Sequence, residues 1–250
     1  MRLLKISVLC LAGAAIASAL PAALRAGVWH YAGRKGPAHW AEVDQNNAAC
    51  GRGREQSPID LSGRMVHEGR DALGLDWRAG AYRVINNGHT IEAEAPPGSS
   101  VSIDGETVPL RQVHFHLPSE HVQGKRHWAM EAHFVHQAPA GGRAAVIAVM
   151  LVPGPANASF HTLMANAPAR PGTARPIQFD PRALLPGRRS HFRYEGSLTT
   201  PPCTEVVDWE VIDQPITVAP GDIARFRMLI GYNARPVQPV GRRLILHVPG

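Results

Sequence analysis

The sequence predicts a single, strand-rich domain with few and short helices. The chain has 250 residues, of which 24 are Gly and 22 are Pro, and these divide the apolar positions into many short runs. Short apolar runs between turn-forming residues are typical of β-strands. No internal repeat, low-complexity tract or linker-like change of composition divides the chain, so its length fits one large core.

Predicted strands follow one another along most of the chain. Residues 144–152 are almost uninterrupted by polar side chains, which predicts a central strand buried on both faces. Helical signals are limited to 183–185, which ends at Pro186, and to 220–229, where Asp222 is expected to cap the start. In chain order, the predicted strands are 82–85, 90–93, 101–103, 113–117, 131–136, 144–152, 206–212 and 243–248.

The N-terminus has the pattern of a secretory signal peptide. Two basic residues stand among the first five, an apolar run covers 6–20, and small residues around Ala19 offer a cleavage site. The run is short for a membrane span, and Cys10 lacks the small preceding residue of a lipid-modified cysteine. We therefore expect a signal peptide at 1–19, a mature domain at 20–250 and no stable membrane anchor.

The cysteine count predicts a disulfide. Cleavage of the signal peptide leaves two cysteines, Cys50 and Cys203. An even count in an exported protein favours one disulfide, and we expect the protein in the periplasm or secreted. Closing a loop of about 150 residues is worth on the order of 4 to 5 kcal/mol in the chain-entropy model. The alternative is two separate buried thiols.

The chain is basic but lacks a nucleic-acid-binding pattern. Its formal net charge is +6 at pH 7, and the arginines that carry this charge are spread in short groups. No basic stretch is interleaved with aromatic residues, as a nucleic-acid-binding surface requires. We expect no nucleic-acid partner and a solvated surface with a mild attraction for anions.

Two His-rich segments supply the strongest chemical signal. In a strand, His114 and His116 project from the same side. Residues 131–136 alternate in the same way, so an antiparallel neighbour would bring His133 or His136 beside this pair. Three imidazoles with one open position are the ligand set of a catalytic zinc. The chain has 13 His residues, so a chance pair is the alternative, and spacing alone fixes neither the metal nor the reaction.

Further segments, together with these histidines, resemble the alpha class of carbonic anhydrases. They occur in the order found in that family and cover nearly the whole mature chain. They are Trp29, Gly36-Pro37-Ala38-His39-Trp40, Gln56-Ser57-Pro58-Ile59, Asn86-Asn87-Gly88-His89, 112–120, 131–136, Ser197-Leu198-Thr199-Thr200-Pro201-Pro202 and Asn233-Ala234-Arg235-Pro236. The resemblance implies a large, twisted, mainly antiparallel sheet with short peripheral helices in one domain.

The resemblance also implies a zinc lyase (carbonate dehydratase) with His114, His116 and His133 as ligands. His136 and His121 match buried supporting positions, and His136 lies three residues from His133, on the opposite strand face. The implied reaction is the reversible hydration of carbon dioxide to bicarbonate and a proton by zinc-bound hydroxide. The expected partner is this small substrate, and a homodimer is compatible with the resemblance.

Catalytic roles follow from the same resemblance. Thr199 is expected to accept a hydrogen bond from the zinc-bound hydroxide and to donate to Glu120, while Thr200 bonds the substrate. His89 matches the family's proton shuttle, and Tyr31 helps order the water between zinc and shuttle. Without the resemblance, the two threonines would form a turn before two prolines and His89 would be an inert turn residue.

Supporting residues can be assigned in the same way. The acceptors for the second nitrogens of His114, His116 and His133 are, in that order, Gln112, the backbone carbonyl of Asn233, and Glu131. The alternative for Glu131 is a surface carboxylate. A hydrophobic wall for carbon dioxide is expected from Val135, Val146, Leu198, Val207 and Trp209. Ordinary core packing would explain these apolar residues equally well.

Two other functions compete with hydration of carbon dioxide. A binding protein of the same fold without turnover should have lost a zinc-binding histidine, but all three are present. A general zinc hydrolase has less support because the chain contains no His-Glu-x-x-His motif. Many animal members of the family have an aromatic residue after the second histidine, whereas this chain has Leu117-Pro118-Ser119-Glu120, a variant that resembles bacterial members.

Overall fold

A twelve-stranded sheet runs through the structure, a computed structural model that describes residues 29–63, 65–67, 73–138 and 141–250. The predicted signal peptide and Cys10 lie outside the described residues. The strands are β1 (Met65–His67), β2 (Gly74–Asp76), β3 (Gly80–Asn86), β4 (Ile91–Glu94), β5 (Ser100–Ile103), β6 (Glu106–His116), β7 (Met130–Gln137), β8 (Ala144–Pro153), β9 (Thr173–Phe179), β10 (His191–Gly196), β11 (Val207–Val218) and β12 (Ile245–Val248).

The main path of the sheet has the order β1-β12-β10-β11-β8-β7-β6-β4-β3-β9, and β5 pairs with both β2 and β6. Most pairs are antiparallel, but two among the described strands, β1 with β12 and β8 with β11, are parallel. A parallel pair requires a crossover, which the chain between β8 and β11 makes through a helix and two further strands. The large, mostly antiparallel sheet with short helices confirms the predicted fold class.

Strand β8 is the central strand that the sequence predicts. Residues 144–151 are all buried, and β8 pairs with β7 on one side and β11 on the other. Successive side chains enter two different apolar clusters, as strand alternation requires. Ile147 lies in the cluster that contains Phe115, whereas Val146 lies in the cluster that contains Trp209. The sheet therefore separates two cores, here called the Phe115 cluster and the Trp209 cluster.

The helices are short and lie outside the sheet. They are α1 (Trp40–Val43), α2 (Ala49–Arg52), α3 (Ala158–Asn166) and α4 (Pro220–Leu229). The predicted helix at 220–229 is confirmed, and the helical signal at 183–185 falls at the end of a single 3₁₀ turn, Pro181–Leu184. None of the helices in the described ranges has the length and apolar character needed to span a membrane.

The predicted capping role of Asp222 is wrong. Helix α4 begins after Ala219, with Pro220 at its first position, and no side chain caps it. Proline suits this position because its fixed φ is helical and its missing N–H would have no partner there. Asp222 is the third residue of the first turn, and its buried carboxylate contacts His161 Nδ1 at 3.0 Å. The side chain that the local sequence predicted as a helix cap therefore contacts His161, a residue distant in the sequence.

Candidate active site

Strands β6 and β7 bring three imidazoles together. His114 and His133 are directly opposite in the antiparallel register, and His116 is opposite Glu131. The ring centroids of His114 and His133 are 5.1 Å apart, and those of His116 and His133 are 4.5 Å apart. One nitrogen from each of the three rings lies within 4.8 Å of the other two. The third histidine beside the His114 and His116 pair is thus His133, and not His136.

Each imidazole uses one nitrogen to bond an acceptor of the chain. A carbonyl or carboxylate oxygen can only accept, so the ring nitrogen facing it carries the proton, and the other nitrogen keeps its lone pair. The three contacts, each of 2.8 Å, are His114 Nδ1 with Gln112 Oε1, His116 Nδ1 with the carbonyl oxygen of Asn233, and His133 Nε2 with Glu131 Oε1. The predicted acceptors are therefore all at hydrogen-bond distance from the predicted rings.

A buried nitrogen at this centre lacks a partner. Among the described residues, His116 Nε2 makes no hydrogen bond, although His116 is only 1% exposed. Burial and the nearby imidazoles lower the pKa of His114 well below its ordinary value. Burial also lowers the pKa of His116, although the charge of Glu120 opposes the shift. Neutral imidazoles with an available nitrogen are metal ligands, so the donor set fits a bound zinc ion.

Glu131 organises the buried side of the site. Its Oε1 contacts His121 Nδ1 at 2.6 Å as well as His133, and its Oε2 accepts from the backbone N–H groups of Glu120 and His121 at 2.8 Å each. Burial alone would raise the pKa of Glu131, but the charges and hydrogen bonds of His121 and His133 lower it well below its ordinary value. His121 contacts the Tyr194 hydroxyl at 2.6 Å through its other nitrogen.

Glu120 and Thr199 are both buried, and Glu120 lies beside His116. Glu120 Oε1 accepts from the backbone N–H of Arg235 at 2.7 Å, and Glu120 Oε2 lies 3.5 Å from His116 Nε2. Glu120 Oε2 has no hydrogen-bond partner in the described part of the chain. The expected bond from the Thr199 hydroxyl to Glu120 is therefore not formed in this structure. Thr199 is 5% exposed, and Thr200 beside it is half-buried.

The loop that carries Thr199 is tied to the N-terminal part of the chain. A disulfide joins Cys203 to Cys50 of α2. Ser197 Oγ accepts from the Ser57 N–H at 2.9 Å, and Trp209 Nε1 donates to the Ser197 carbonyl at 3.1 Å. These contacts hold one end of the loop against Trp209 and the other end against α2.

His89 lies in a turn connected to the imidazole centre. The Asn87 side chain accepts from the His89 N–H at 2.9 Å, and Asn233 Nδ2 donates to the His89 carbonyl at 3.0 Å. Asn233 thereby links the His89 turn to His116, whose ring it also bonds. The indole of Trp29 stacks on the His89 ring with the centroids 3.9 Å apart.

Tyr31 packs among aromatic rings at the same side of the site. Its ring contacts Trp29 and Trp40 edge-on, with centroid distances of 5.3 and 5.8 Å. Burial, and then the charge of Glu120, raise the pKa of the Tyr31 phenol well above 10. The phenol therefore stays protonated at physiological pH.

The five predicted wall residues share one core. Val146, Val207 and Trp209 belong to the Trp209 cluster, and the half-buried Val135 and Leu198 pack against it. The ring of Trp209 lies 4.9 Å from that of His133. The wall and the imidazoles are thus on the same face of the sheet.

His136 lies away from the imidazole centre. It pairs across the strands with Ala145, a member of the Phe115 cluster, and accepts from Trp77 Nε1 at 3.0 Å. Burial lowers its pKa from 6.5 to about 4, although the Ala145 and Phe134 backbone opposes the shift.

The sequence did not predict the buried role of Arg235. Its guanidinium donates to the carbonyl groups of Ser57 and Cys50 at 2.8 and 3.1 Å, and it lies over the Trp40 ring. The side chain is only 2% exposed. Arginine is ordinarily a surface residue, so nothing local indicates that this one is buried behind Glu120.

Comparison with known proteins agrees with this geometry. The model of the eukaryotic-type carbonic anhydrase family matches residues 35–248. A carbonic anhydrase of Pectobacterium carotovorum is 38% identical over 222 residues, which cover 88% of this chain and 90% of the relative.

Solved structures show the same fold. The alpha-carbonic anhydrase from Thermovibrio ammonificans, in complex with the inhibitor sulfanilamide, is 37% identical and has a TM-score of 0.84 over 87% of this chain and 98% of that one. Dioscorin complexed with ascorbate is 28% identical, with a TM-score of 0.81 over 88% of this chain and 98% of that one. The extent of the family match and the identity to its bacterial members show that the chain belongs to the eukaryotic-type, or alpha, carbonic anhydrase family.

Proposed function

We propose that this enzyme catalyses the reversible hydration of carbon dioxide to bicarbonate and a proton, with zinc held by His114, His116 and His133. The observation that carries the proposal is the convergence of three imidazoles, each with one nitrogen bonded to a chain acceptor. Zinc bound there would lower the pKa of a coordinated water to about 7, an effect for which carbonic anhydrase is the standard example.

The acceptors behind the imidazoles set their orientation. Because Gln112, Asn233 and Glu131 each hold the proton-bearing nitrogen of one ring, the second nitrogen has a fixed direction. His121 in turn holds Glu131, whose low pKa keeps it an acceptor at neutral pH. These groups hold the three rings in an orientation that leaves one nitrogen of each available to a metal.

Thr199 and Glu120 would orient the attacking oxygen. Glu120 Oε2 is buried and has no hydrogen-bond partner among the described residues, while its Oε1 is held by the Arg235 N–H. In this mechanism the Thr199 hydroxyl would donate to Glu120 Oε2, and the threonine oxygen would accept the proton of the nucleophile. Thr200 would donate to an oxygen of the substrate.

The apolar wall would hold carbon dioxide beside the nucleophile. Carbon dioxide has few polar handles, so its site needs a small hydrophobic surface. This role is assigned to Val135, Val146, Leu198, Val207 and Trp209, on the face of the sheet that carries the imidazoles.

The proton released by hydration would leave through His89. An imidazole ordinarily accepts and releases protons between pH 5 and 8. The Asn233 bonds to the His89 turn and to the His116 ring hold the two regions together. Tyr31, with its phenol protonated, would donate to the water between them.

The proposed location is the periplasm or the exterior of the cell. A signal peptide at 1–19 and a domain at 20–250 remain predictions from the sequence. The disulfide between Cys50 and Cys203 supports export, because such bonds persist in oxidising compartments. A homodimer stays a prediction.

The test is stopped-flow measurement of carbon dioxide hydration. We expect activity in the zinc-loaded protein, its loss after chelation, and its recovery when zinc is returned. His116→Ala should remove both activity and zinc, whereas His161→Ala, which changes an exposed histidine of α3, should retain both. Hydration that survives chelation or His116→Ala would contradict the proposal, and a zinc-loaded protein without hydration would favour a binding function.

A further inference from the structure

We propose that His30 is a second proton-relay imidazole, which passes protons between His89 and the solvent. The inference rests on the proposed hydration activity with His89 as its shuttle. The His30 and His89 ring centroids are 6.2 Å apart, with an angle of 44° between the ring planes. His30 is exposed, whereas His89 is half-buried. The pair therefore leads from the site towards bulk water.

The position of His30 is fixed by the fold. Its N–H donates to the Lys35 carbonyl at 2.8 Å, and its own carbonyl accepts from Trp40 Nε1 at 2.9 Å. Trp40 is fully buried, so the second bond anchors the His30 backbone to the core. The closeness of His30 to His89 thus follows from an anchored backbone and not from a loose terminus.

The aromatic neighbours of His89 cannot take its proton. Trp29 covers one face of the ring, and an indole N–H is only a donor. Tyr31 packs against Trp29, and its phenol, whose pKa is raised well above 10 by burial, is protonated at neutral pH and cannot accept a further proton. His30 carries an imidazole, which in its neutral form has one nitrogen that donates and one that accepts a hydrogen bond.

The relay step moves one proton and no other atom. Protonated His89 would give its proton to neutral His30, after which His30 would release it to buffer and His89 would be ready for the next turnover. At this separation of ring centroids, one water can bridge a nitrogen of each ring.

Glu92 is the competing acceptor near this turn. Its carboxylate accepts from Asn87 Nδ2 at 3.3 Å. Burial, and then the charge of Glu94, raise its pKa to about 7. Glu92 lies on β4, opposite His114, and therefore on the metal side of the turn, whereas His30 lies on the solvent side. A variant at Glu92 consequently belongs in the test.

The experiment compares hydration by the zinc-loaded protein at low buffer concentration and with added imidazole. We expect His30→Ala to lower the rate at low buffer about threefold, with recovery in imidazole and an unchanged KM. His39→Ala is the matched control, because His39 is also exposed in the N-terminal segment and contacts Glu42. In a series relay, His30→Ala combined with His89→Ala should be no slower than His89→Ala alone.

The outcomes separate the relay from the proposed function. If His30→Ala behaves like His39→Ala while His89→Ala is slow, the relay is refuted and the His89 shuttle stands. If Glu92→Gln reproduces the buffer-dependent loss and His30→Ala does not, the second acceptor is Glu92. If neither His30→Ala nor His89→Ala is slow, the shuttle itself fails.

An NMR titration of the zinc-loaded protein tests the pair independently of turnover. Two nearby imidazoles should sense each other's charge, so the His30 ring protons should show two inflections with pH in the wild type and one in His89→Ala. A single inflection in both proteins would refute the pairing.

Discussion

His136 should make the protein lose stability as the pH falls. The side chain is fully buried, and its pKa is lowered from the ordinary 6.5 to about 4, first by burial. Between these two values the unfolded chain binds a proton that the folded protein excludes, so the free energy of unfolding decreases with decreasing pH. The gap corresponds to a loss of about 3 kcal/mol between pH 7 and pH 4, of which about 2 kcal/mol should be lost by pH 5.

The perturbation is His136→Gln, which removes the titration but keeps an acceptor for Trp77 and a donor for the Ala145 carbonyl. Urea denaturation at pH 7, 5 and 4 gives the free energy of unfolding of each protein. We expect the wild type to lose about 3 kcal/mol more than His136→Gln over this range, even if the variant is less stable at pH 7.

The matched control is His67→Gln, since His67 is an exposed histidine on β1. This variant should follow the wild type at every pH. Acid release of zinc affects all three proteins alike, so it does not contribute to the differences. Equal pH dependence of His136→Gln and the wild type would refute the assignment of this loss to a buried neutral imidazole.

Three further predictions concern the supports of the site and the fold. Cys203→Ser breaks the bond to Cys50, so it should reduce the free energy of unfolding by on the order of 4 to 5 kcal/mol, lower the melting temperature and loosen the loop that carries Thr199. Unchanged melting and full activity under reducing conditions would contradict this. Gln112→Ala should weaken zinc binding about 10- to 100-fold in chelator competition, because His114 loses its hydrogen-bond acceptor. A zinc affinity equal to that of the wild type would show that Gln112 does not support the metal site. Asn157→Ala removes the N-cap of α3, so it should lower the free energy of unfolding, measured by urea denaturation, by about 1 kcal/mol. Asn157→Ser should be about as stable as the wild type, and an equal loss of stability in both variants would exclude the capping role.

Much of the imidazole centre could be predicted because its signals are local. The alternation of His114 and His116 on β6, and of residues along β7, defines which side chains share a face once the strands pair. Spacing alone left His133 and His136 as alternatives, and the register decides between them. The apolar run of β8 likewise needed no tertiary information to predict a strand buried on both faces.

Elements with mixed local signals were missed. Strand β9 carries Pro176 and many exposed side chains. Among the described strands it pairs with β3 alone, at the edge of the sheet, where proline is tolerated. Helix α3 has Phe160 and Leu163 in the spacing of a buried face, but its nine residues are flanked by Gly and Pro-rich turns that favour a loop.

Long-range partners explain the remaining errors. The Asp222 carboxylate contacts His161, which is 61 residues away, and Arg235 bonds the carbonyl of Ser57 across 178 residues. No local pattern reports such contacts. The predicted bond from Thr199 to Glu120, which is not formed in this structure, depends on the position of one side chain, and motif spacing does not determine that position.

Zinc-edge anomalous diffraction from crystals of the zinc-loaded protein would locate the metal and identify its ligands. We predict one strong peak bonded by His114, His116 and His133 at about 2.0 to 2.1 Å, through the nitrogen of each ring that does not bond the chain. A second group of potential ligands, His121 and Glu131 with His133, lies close by. A peak between His121 and Glu131, or no peak at the three imidazoles, would contradict zinc binding by His114, His116 and His133.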